Sequence, residues 1–147
     1  MPERTVFQAM AQRHVIGVLP TASVHTAACV MTRNNSSSVL VIDAANTMLG
    51  IITERDMITR VLAKTMDPSQ TPVAEVMTRS PHCVFPDTKV ADAVLMMIER
   101  GFRHLPVVNA DSHKILGVFS VRDAMPRELN TAVNLAEFHE QVNDALG

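Results

Sequence analysis

The stretch GIITERD, residues 50–56, occurs again as GVFSVRD, residues 117–123, with the glycine, arginine and aspartate unchanged. In each copy, apolar residues are followed by a hydroxyl side chain and, three residues later, by a carboxylate. Extending the comparison towards the N terminus pairs Pro20 with Pro86, Val24 with Val90, Ala27 with Ala93, Met31 with Met97 and Val41 with Val107. The chain is therefore a tandem of two repeats, and one repeat alone is too short to bury a sufficient core.

The pattern predicts the same order of elements in each repeat, namely helix, strand, turn and strand, and a further helical run completes the first repeat. In the second repeat, residues 90–98 place apolar side chains on one helical face. Asp87 or Thr88 is the expected N-cap of this helix, and Gly101 is the expected left-handed residue at its end. After the second motif, Pro126 interrupts the chain, and the pattern predicts a final helix of about twenty residues.

Composition and charge exclude several classes of partner. The chain has 147 residues, 47% of them hydrophobic, and 13 Lys and Arg against 15 Asp and Glu give a net charge of −2. Neither sign is gathered into a block, so we expect no binding to nucleic acid or to an anionic membrane. The longest apolar runs are too short to span a bilayer, and the first residues lack the apolar core of a secretion signal. A cytoplasmic location is expected.

Motifs that carry catalysis or bind metals are not found in the sequence. Cys29 and Cys83 lack a CxxC or Cys/His spacing and are interpreted as small core residues, so no metal site is predicted. The six histidines form no HExxH pair, and neither a GxSxG elbow nor a glycine-rich phosphate loop occurs. The sequence predicts a protein that is not an enzyme and requires no cofactor. An enzyme that uses the aspartate, histidine and arginine residues discussed below stays as an alternative.

The two repeats resemble tandem CBS domains, which are β-α-β-β-α modules that pack as a pseudo-twofold pair called a Bateman module. The resemblance rests on residues 75–123 for the second repeat and, more weakly, on residues 17–56 for the first. It implies an α/β (α+β) fold. The implied domains are a first repeat with an N-terminal helix at 8–66, a second repeat at 67–126 and a C-terminal helix at 127–147.

In this family, the closing Ser/Thr-x-x-Asp motif holds ribose. The resemblance therefore makes Asp56 with Thr53, and Asp123 with Ser120, the candidate pairs for an adenosine-containing ligand. A carboxylate can accept hydrogen bonds from both ribose hydroxyls, and a hydroxyl side chain three residues earlier can donate to a sugar or phosphate oxygen. The alternative is that each aspartate caps the helix that follows it, while each hydroxyl binds local backbone.

Basic residues distinguish the two repeats. The inner strand of the second repeat follows Arg103 and His104, whereas the first repeat has Ser37 and Ser38 at that position. In family members that bind nucleotide phosphates, basic residues here reach the ligand held by the other repeat. The resemblance thus implies one site with Asp56, Thr53, Arg103, His104 and Arg122, and a second with Asp123, Ser120, Arg55, Ser37 and Ser38.

The charges of the two implied sites suggest different ligands. The site of Asp56 should prefer a phosphorylated ligand, because arginine can bind phosphate through two hydrogen bonds and His104 gains charge as the pH falls. The site of Asp123, with one cation, should prefer adenosine itself or a thioether-bearing relative. In the alternative interpretation, Arg55 and Arg122 are surface residues ion-paired with carboxylates.

The adenine base, by position in the family, should lie against Ile16, Gly17 and Val18 in one repeat and against His82, Cys83 and Val84 in the other. Backbone groups and apolar contact would recognise it. Cys83 stands where the family usually has threonine, so the hydrogen bonding in that half differs from the family pattern.

The resemblance implies a ligand-sensing regulatory module for nucleotides of the AMP, ADP and ATP class, bound in the cleft between the repeats. One alternative is a binder of S-adenosylmethionine or NAD. Another is an interaction module with vestigial clefts that serves dimerisation or docking to a regulated protein. A homodimer is expected in either case, because the final helix carries apolar residues on more than one side.

Overall fold

The computed structural model describes residues 3–146, which form two compact units. Residues 15–81 form one unit, and residues 3–14 together with 82–146 form the other. The predicted α/β fold, with two sheet-bearing repeats and a C-terminal helix, is confirmed. The elements are, in chain order, α1 (Val6–Ala9), β1 (Gly17–Val18), α2 (Val24–Arg33), β2 (Ser38–Ile42), β3 (Met48–Thr53), α3 (Glu54–Met57), a π-helical turn (Ile58–Leu62), α4 (Val73–Val76), β4 (Thr78–Arg79), α5 (Val90–Arg100), β5 (His104–Val108), β6 (Ile115–Ser120), a 3₁₀ turn (Val121–Asp123) and α6 (Pro126–Leu146).

The unit of residues 15–81 contains a four-stranded sheet in the order β1-β2-β3-β4. Strand β1 runs parallel to β2, and the other neighbours are antiparallel. Alternating apolar residues of these strands pack against α2, and Ala27, Val39 and Ile52 are each 0% exposed in the resulting core. Because β2 and β3 pair with Ser38 opposite Thr53, the start of β2 lies beside the end of β3.

The second unit repeats this arrangement around the antiparallel pair of β5 and β6. His104 lies opposite Ser120, as Ser38 lies opposite Thr53 in the other unit. Val84 forms a parallel bridge to Val107 and takes the place of β1. Phe119 is fully buried in the core that this strand pair shares with α5.

Each unit is completed by the segment that precedes the other repeat in the chain. Helix α1 comes before the first repeat, yet Val6 and Met10 are buried in the core of the second unit. Helix α4 comes before the second repeat, yet it contributes to the core of the unit of residues 15–81. The domain boundaries predicted from the sequence divide the chain into consecutive segments. They describe the repeats and not the packed units, and they stay a prediction.

The glycine that begins each repeated motif lies where one of these flanking segments approaches the strand. A Cβ atom on Gly50 would lie 2.6 Å from the carbonyl oxygen of Thr78, and one on Gly117 would lie 2.1 Å from the carbonyl oxygen of Gln12. Both distances are shorter than non-bonded atoms allow. The glycines that the two motifs share therefore permit the flanking backbone to pair with β3 and β6.

The two ends of α5 differ from each other in how well the sequence predicts them. Gly101 has φ of 78° and ends the helix in the left-handed conformation, as predicted. The predicted N-cap is wrong, because the helix begins after Lys89 without a side-chain cap. Thr88 instead accepts a hydrogen bond from the backbone of Phe85, and the N–H of Val90 donates to the carbonyl of Arg4 at 3.1 Å. A distant backbone group thus replaces the local cap.

Helix α6 confirms the prediction of a long final helix, with 21 residues. Proline occupies its first position, where no intrahelical donor is needed. Two helix turns later Ala132 is fully buried, whereas Phe138 and Leu146 are 59% and 83% exposed. Across residues 3–146, no helix combines the length and the apolar character that crossing a bilayer would require.

Candidate functional site

The candidate site in the first repeat is built at the point where β3 becomes α3. Thr53 is the N-cap of the helix, and its hydroxyl accepts a hydrogen bond from the backbone N–H of Asp56 at 3.2 Å. In return, Oδ2 of Asp56 accepts from the backbone N–H of Thr53 at 3.0 Å and from its hydroxyl at 3.2 Å. This reciprocal pair is a capping box. The carboxylate is held in a buried position, since Asp56 is only 8% exposed.

The other carboxylate oxygen of Asp56 has a different neighbour. Oδ1 lies 3.6 Å from Nε of Arg60, four residues further along the chain. The cap therefore occupies one oxygen, while the other lies beside a positive charge. The sequence does not single out Arg60, because the spacing of four residues that separates it from Asp56 also separates Arg127 from Asp123.

The corresponding site in the second repeat has the same cap but a shorter helical segment. Oδ2 of Asp123 accepts from the backbone N–H of Ser120 at 2.9 Å, and the Ser120 hydroxyl accepts from the N–H of Arg122 at 3.3 Å. The segment that follows is a 3₁₀ turn of three residues. The capping interpretation thus describes the hydrogen bonds of both motifs, whereas ribose binding by either aspartate stays a prediction.

The residues predicted to surround the motifs lie next to the motif of their own repeat. The N–H of Glu54 donates to the carbonyl of Ser37 at 3.1 Å, and Ser38 is buried opposite Thr53. In the second unit, the N–H of Val121 donates to the carbonyl of Arg103 at 3.0 Å, and His104 lies opposite Ser120. The sequence also predicts that each ligand is bound by residues of both repeats, and this stays a prediction. The predicted combinations are Arg103, His104 and Arg122 with Asp56, and Arg55, Ser37 and Ser38 with Asp123.

The arginine that precedes the aspartate in each repeated motif is exposed. Arg55 and Arg122 both lie on the surface of their units. The ion pairs found among residues 3–146 include neither of them. The alternative interpretation of these arginines as ion-paired surface residues is therefore not supported by the ion pairs of this structure.

The predicted base-binding residues of the first repeat are those of β1 and the residue before it. Ile16 and Val18 are 6% and 8% exposed and belong to the core. Gly17 lies between them, and a Cβ atom there would come within 3.0 Å of the Ile42 side chain. Because the two larger side chains face the core, contact with a base at this strand would depend on backbone groups and on Gly17.

The predicted base-binding residues of the second repeat have different surroundings. Val84 is 2% exposed, and its N–H donates to the carbonyl of Pro106 at 2.9 Å. Burial raises the pKa of the Cys83 thiol, so this side chain is a neutral group at neutral pH. The ring of His82 lies 5.4 Å from that of Phe102 and 3.2 Å from a guanidinium nitrogen of Arg100. His82 thus contacts the end of α5.

A partly buried ion pair stands close to the second motif. Arg4 Nη2 and Glu128 Oε1 are 2.6 Å apart, and Nε donates to Oε2 at 3.1 Å, which makes the pair bidentate. The same guanidinium donates to the backbone carbonyl of Asp123 at 3.1 Å. Hydrogen bonding with Arg4 lowers the pKa of Glu128, and the same contact raises the pKa of Arg4. The turn of the second motif is therefore tied to the N-terminal segment.

Metal-binding groups are not brought together in the part of the chain that the structure describes. No cluster of three or more His, Cys, Asp or Glu side chains suitable for a metal ion occurs among residues 3–146. The groups present at the candidate sites are capped carboxylates, hydroxyls and nearby arginines, all of which can form hydrogen bonds.

These features define a paired-repeat module in which each repeat ends its central strand pair with a capped Ser/Thr-x-x-Asp motif. The profile of the CBS domain family matches residues 6–63 and 73–128. The chain belongs to the CBS domain family and is a tandem CBS regulatory module.

Relatives of known sequence support this assignment. A 17.7 kDa protein of Acidianus ambivalens is 38% identical over 114 residues, which are 78% of this chain and 67% of the relative. The meiotically up-regulated gene 70 protein of Schizosaccharomyces pombe is 32% identical over 141 residues, which are 86% of this chain but 19% of the relative. The chain therefore spans only about a fifth of the yeast protein.

Solved structures share the fold. A CBS-domain protein of Agrobacterium tumefaciens is 27% identical and superimposes with a TM-score of 0.72 over 81% of this chain and 94% of its own. A CBS domain protein of Pyrobaculum aerophilum, complexed with AMP, is 21% identical with a TM-score of 0.77 over 89% of this chain and 99% of its own.

Proposed function

We propose that this module senses adenosine-containing nucleotides of the AMP, ADP and ATP class and that Asp56 binds the ribose. The observation that carries the proposal is that the two carboxylate oxygens of Asp56 have different neighbours. The capping box engages Oδ2, while Oδ1 lies on the side of Arg60. A ribose hydroxyl can donate to Oδ1 without breaking the cap, since a carboxylate has about four acceptor positions. Capping and ribose binding are therefore compatible in the same residue.

The choice of ligand class draws further support from the solved relative of Pyrobaculum aerophilum, which was complexed with AMP. In our proposal the nucleotide is a regulatory ligand and not a cofactor. S-adenosylmethionine and NAD contain the same adenosine group, and they are the alternatives that a direct comparison of affinities has to separate.

We further propose that Arg103, His104 and Arg122 bind the same ligand as Asp56, as the family resemblance implies. Arg103 and Arg122 are exposed, so both are accessible to a solvent-borne anion. Interactions between exposed charges weaken as salt is added. The affinity for AMP should therefore fall with rising salt, while the affinity for adenosine should change little. Equal salt dependence of the two ligands would contradict this assignment.

The proposal is tested by titration calorimetry of the purified chain with AMP, ADP, ATP, S-adenosylmethionine and NAD. Replacing Asp56 by alanine should weaken binding of the preferred nucleotide at least about tenfold, because a charge-assisted hydrogen bond is lost. Asp123→Ala is the matched variant in the other repeat. The melting temperature without ligand, measured on the same variants, reports the loss of the cap.

The two functions of Asp56 give different combinations of results. Weaker binding in a variant that is still folded supports the ribose role. An Asp56→Ala variant with a lowered melting temperature but unchanged affinity would leave only the cap and would reject the proposal. Absence of binding by all five ligands would favour the interaction module instead.

A second candidate function is self-association, which we propose as a homodimer. The specific observation is the apolar surface of α6, where Val133, Phe138 and Val142 are 43%, 59% and 37% exposed. A CBS-CP12 protein of cyanobacteria with a TM-score of 0.75 and 24% identity is described as hexameric. Sedimentation equilibrium at tens of micromolar should give a dimer, and Phe138→Glu should shift it towards monomer. A monomeric wild-type chain would refute this candidate.

A further inference from the structure

Arg60 connects the carboxylate of Asp56 to a separate stretch of the same unit. Its Nε lies 3.6 Å from Oδ1 of Asp56, and its Nη1 donates to the carbonyl oxygens of Val76 and Met77 at 3.3 and 3.1 Å. An arginine on an open surface pays an entropic cost to hold one orientation, which is why surface ion pairs contribute little. The side chain of Arg60 is 49% exposed, and the two carbonyl groups hold its guanidinium beside Oδ1 of Asp56.

The backbone that carries Arg60 is unusual. Ile58–Leu62 form a π-helical turn, and the N–H of Ala63 donates to the carbonyl of Ile58, five residues earlier, at 2.9 Å. Such turns are rare and occur frequently at functional sites. The wider turn starts two residues after Asp56, and Val61 within it is 1% exposed in the core. The turn thus anchors the segment through Val61 while Arg60 remains on the side of the carboxylate.

The second repeat has an arginine at the same spacing but in different surroundings. Arg127 follows Asp123 by four residues, as Arg60 follows Asp56. Pro126 begins α6 between them, and Arg127 is exposed in the first turn of that helix. The ion pairs found within residues 3–146 do not join Arg127 to Asp123. Arg127 is therefore a matched control for Arg60, with the same residue type and the same spacing from an aspartate.

We infer that Arg60 is a positioning residue for the ligand site of Asp56, an inference that rests on the proposed function. Thr53 holds Oδ2 and Arg60 faces Oδ1, so the two contacts together restrict rotation of the carboxylate. A side chain that is already oriented loses less conformational entropy when it accepts a ligand hydroxyl. Arg60 acts in this way through Asp56 and needs no contact of its own with the ligand.

The test is titration of AMP into the full chain and into Arg60→Gln, Arg60→Lys and Arg127→Gln variants. Arg60→Gln should weaken binding about threefold, the scale of a partly exposed ion pair. Arg60→Lys should restore part of the affinity, because it keeps the charge beside Oδ1. Arg127→Gln should leave the affinity unchanged. Melting temperatures without ligand show whether each variant is folded.

A double-mutant cycle with Asp56→Asn separates positioning from a general structural effect, because the two residues are coupled only if one acts through the other. In the Asp56→Asn background, Arg60→Gln should cause no further loss of affinity for AMP. Ligand-observed NMR measures the affinity where binding is too weak for calorimetry. The same threefold loss in both backgrounds, or an equal loss in Arg127→Gln, would overturn the inference alone. If the wild-type protein binds none of AMP, ADP and ATP, or if Asp56→Asn binds the preferred nucleotide as well as wild type, the proposed function fails and the inference fails with it.

Discussion

The two Ser/Thr-x-x-Asp motifs share a hydrogen-bond pattern but draw their support from different parts of the chain. Asp56 lies beside Arg60, four residues further along the chain in the π-helical turn that follows α3. The turn of Asp123 instead contacts an arginine of the N-terminal segment, because Arg4 donates to the Asp123 carbonyl and pairs with Glu128. The cap is thus a local property of the motif. The electrostatic surroundings are set by the tertiary structure and can differ between repeats that look alike in sequence.

The sharpest test of this comparison is to block the approach of the flanking segments, and it should give the largest effect. In Gly117→Ala, the new Cβ would meet the carbonyl oxygen of Gln12 at 2.1 Å and would displace residues 3–14 from the strand. We expect a loss of about 3 kcal/mol in the free energy of unfolding, in the range of strong backbone clashes. Gly50→Ala should cost less, because its Cβ meets the carbonyl oxygen of Thr78 at 2.6 Å and a flexible methionine side chain at 2.7 Å.

Denaturant unfolding of both glycine variants gives the two free energies, and hydrogen exchange shows which segment has been released. Faster exchange in residues 3–14 is expected for Gly117→Ala, and in residues 73–79 for Gly50→Ala. Equal and small effects in the two variants would show that the flanking segments are not held as closely as described.

Removing the support of the second motif should have an intermediate effect. Glu128→Gln breaks the bidentate pair with Arg4 and should cost about 1–2 kcal/mol, because the Glu128 side chain is only 8% exposed. The pKa of Glu128 is lowered in the folded state, so its contribution is fully present above the ordinary carboxyl range and is lost as the pH falls through the lowered value. Thermal melts between pH 7 and 3 should therefore show a weaker acid dependence in the variant. Parallel curves would contradict this role.

The caps themselves should give the smallest effect and should reveal the difference between the helices that they begin. Thr53→Ala removes the cap of α3, which continues into the π-helical turn, and should cost about 1 kcal/mol. Ser120→Ala removes the cap of a 3₁₀ turn of three residues and should cost about half as much. Chemical unfolding of the two variants provides the comparison. A larger loss in Ser120→Ala would mean that the turn before α6 depends on its cap more than the hydrogen bonds indicate.

The sequence predicts local structure well where the signal lies within a few residues. The repeated motifs, the order of elements and the left-handed end at Gly101 all follow from short patterns. The N-cap of α5 was predicted wrongly because the donor at Val90 is satisfied by the carbonyl of Arg4, a residue that no local rule connects with it. The exchange of α1 and α4 between the units is hidden for the same reason, since comparing repeats preserves chain order.

The candidate site shows the same limit. Thr53, Asp56, Ser120 and Asp123 could be selected from spacing alone, and the structure brings each pair together. Arg60 could not, because Arg127 has the same spacing from its aspartate and a different environment. The difference depends on Pro126, which starts a new helix, and on the carbonyls that hold the guanidinium of Arg60. Which partner a charged side chain finds is decided by the folded structure.

The exchanged flanking segments also affect the order in which the chain can fold as it is synthesised. Residues 15–81 form a contiguous unit and can fold as soon as they have left the ribosome. Residues 3–14 are made earlier, but their partners at Val90, Val118 and Glu128 are made after residues 15–81. Val6 and Met10, which are buried in the folded unit, therefore stay exposed until those partners have been synthesised. We expect nascent chains to bind chaperones through this N-terminal segment until α6 has emerged.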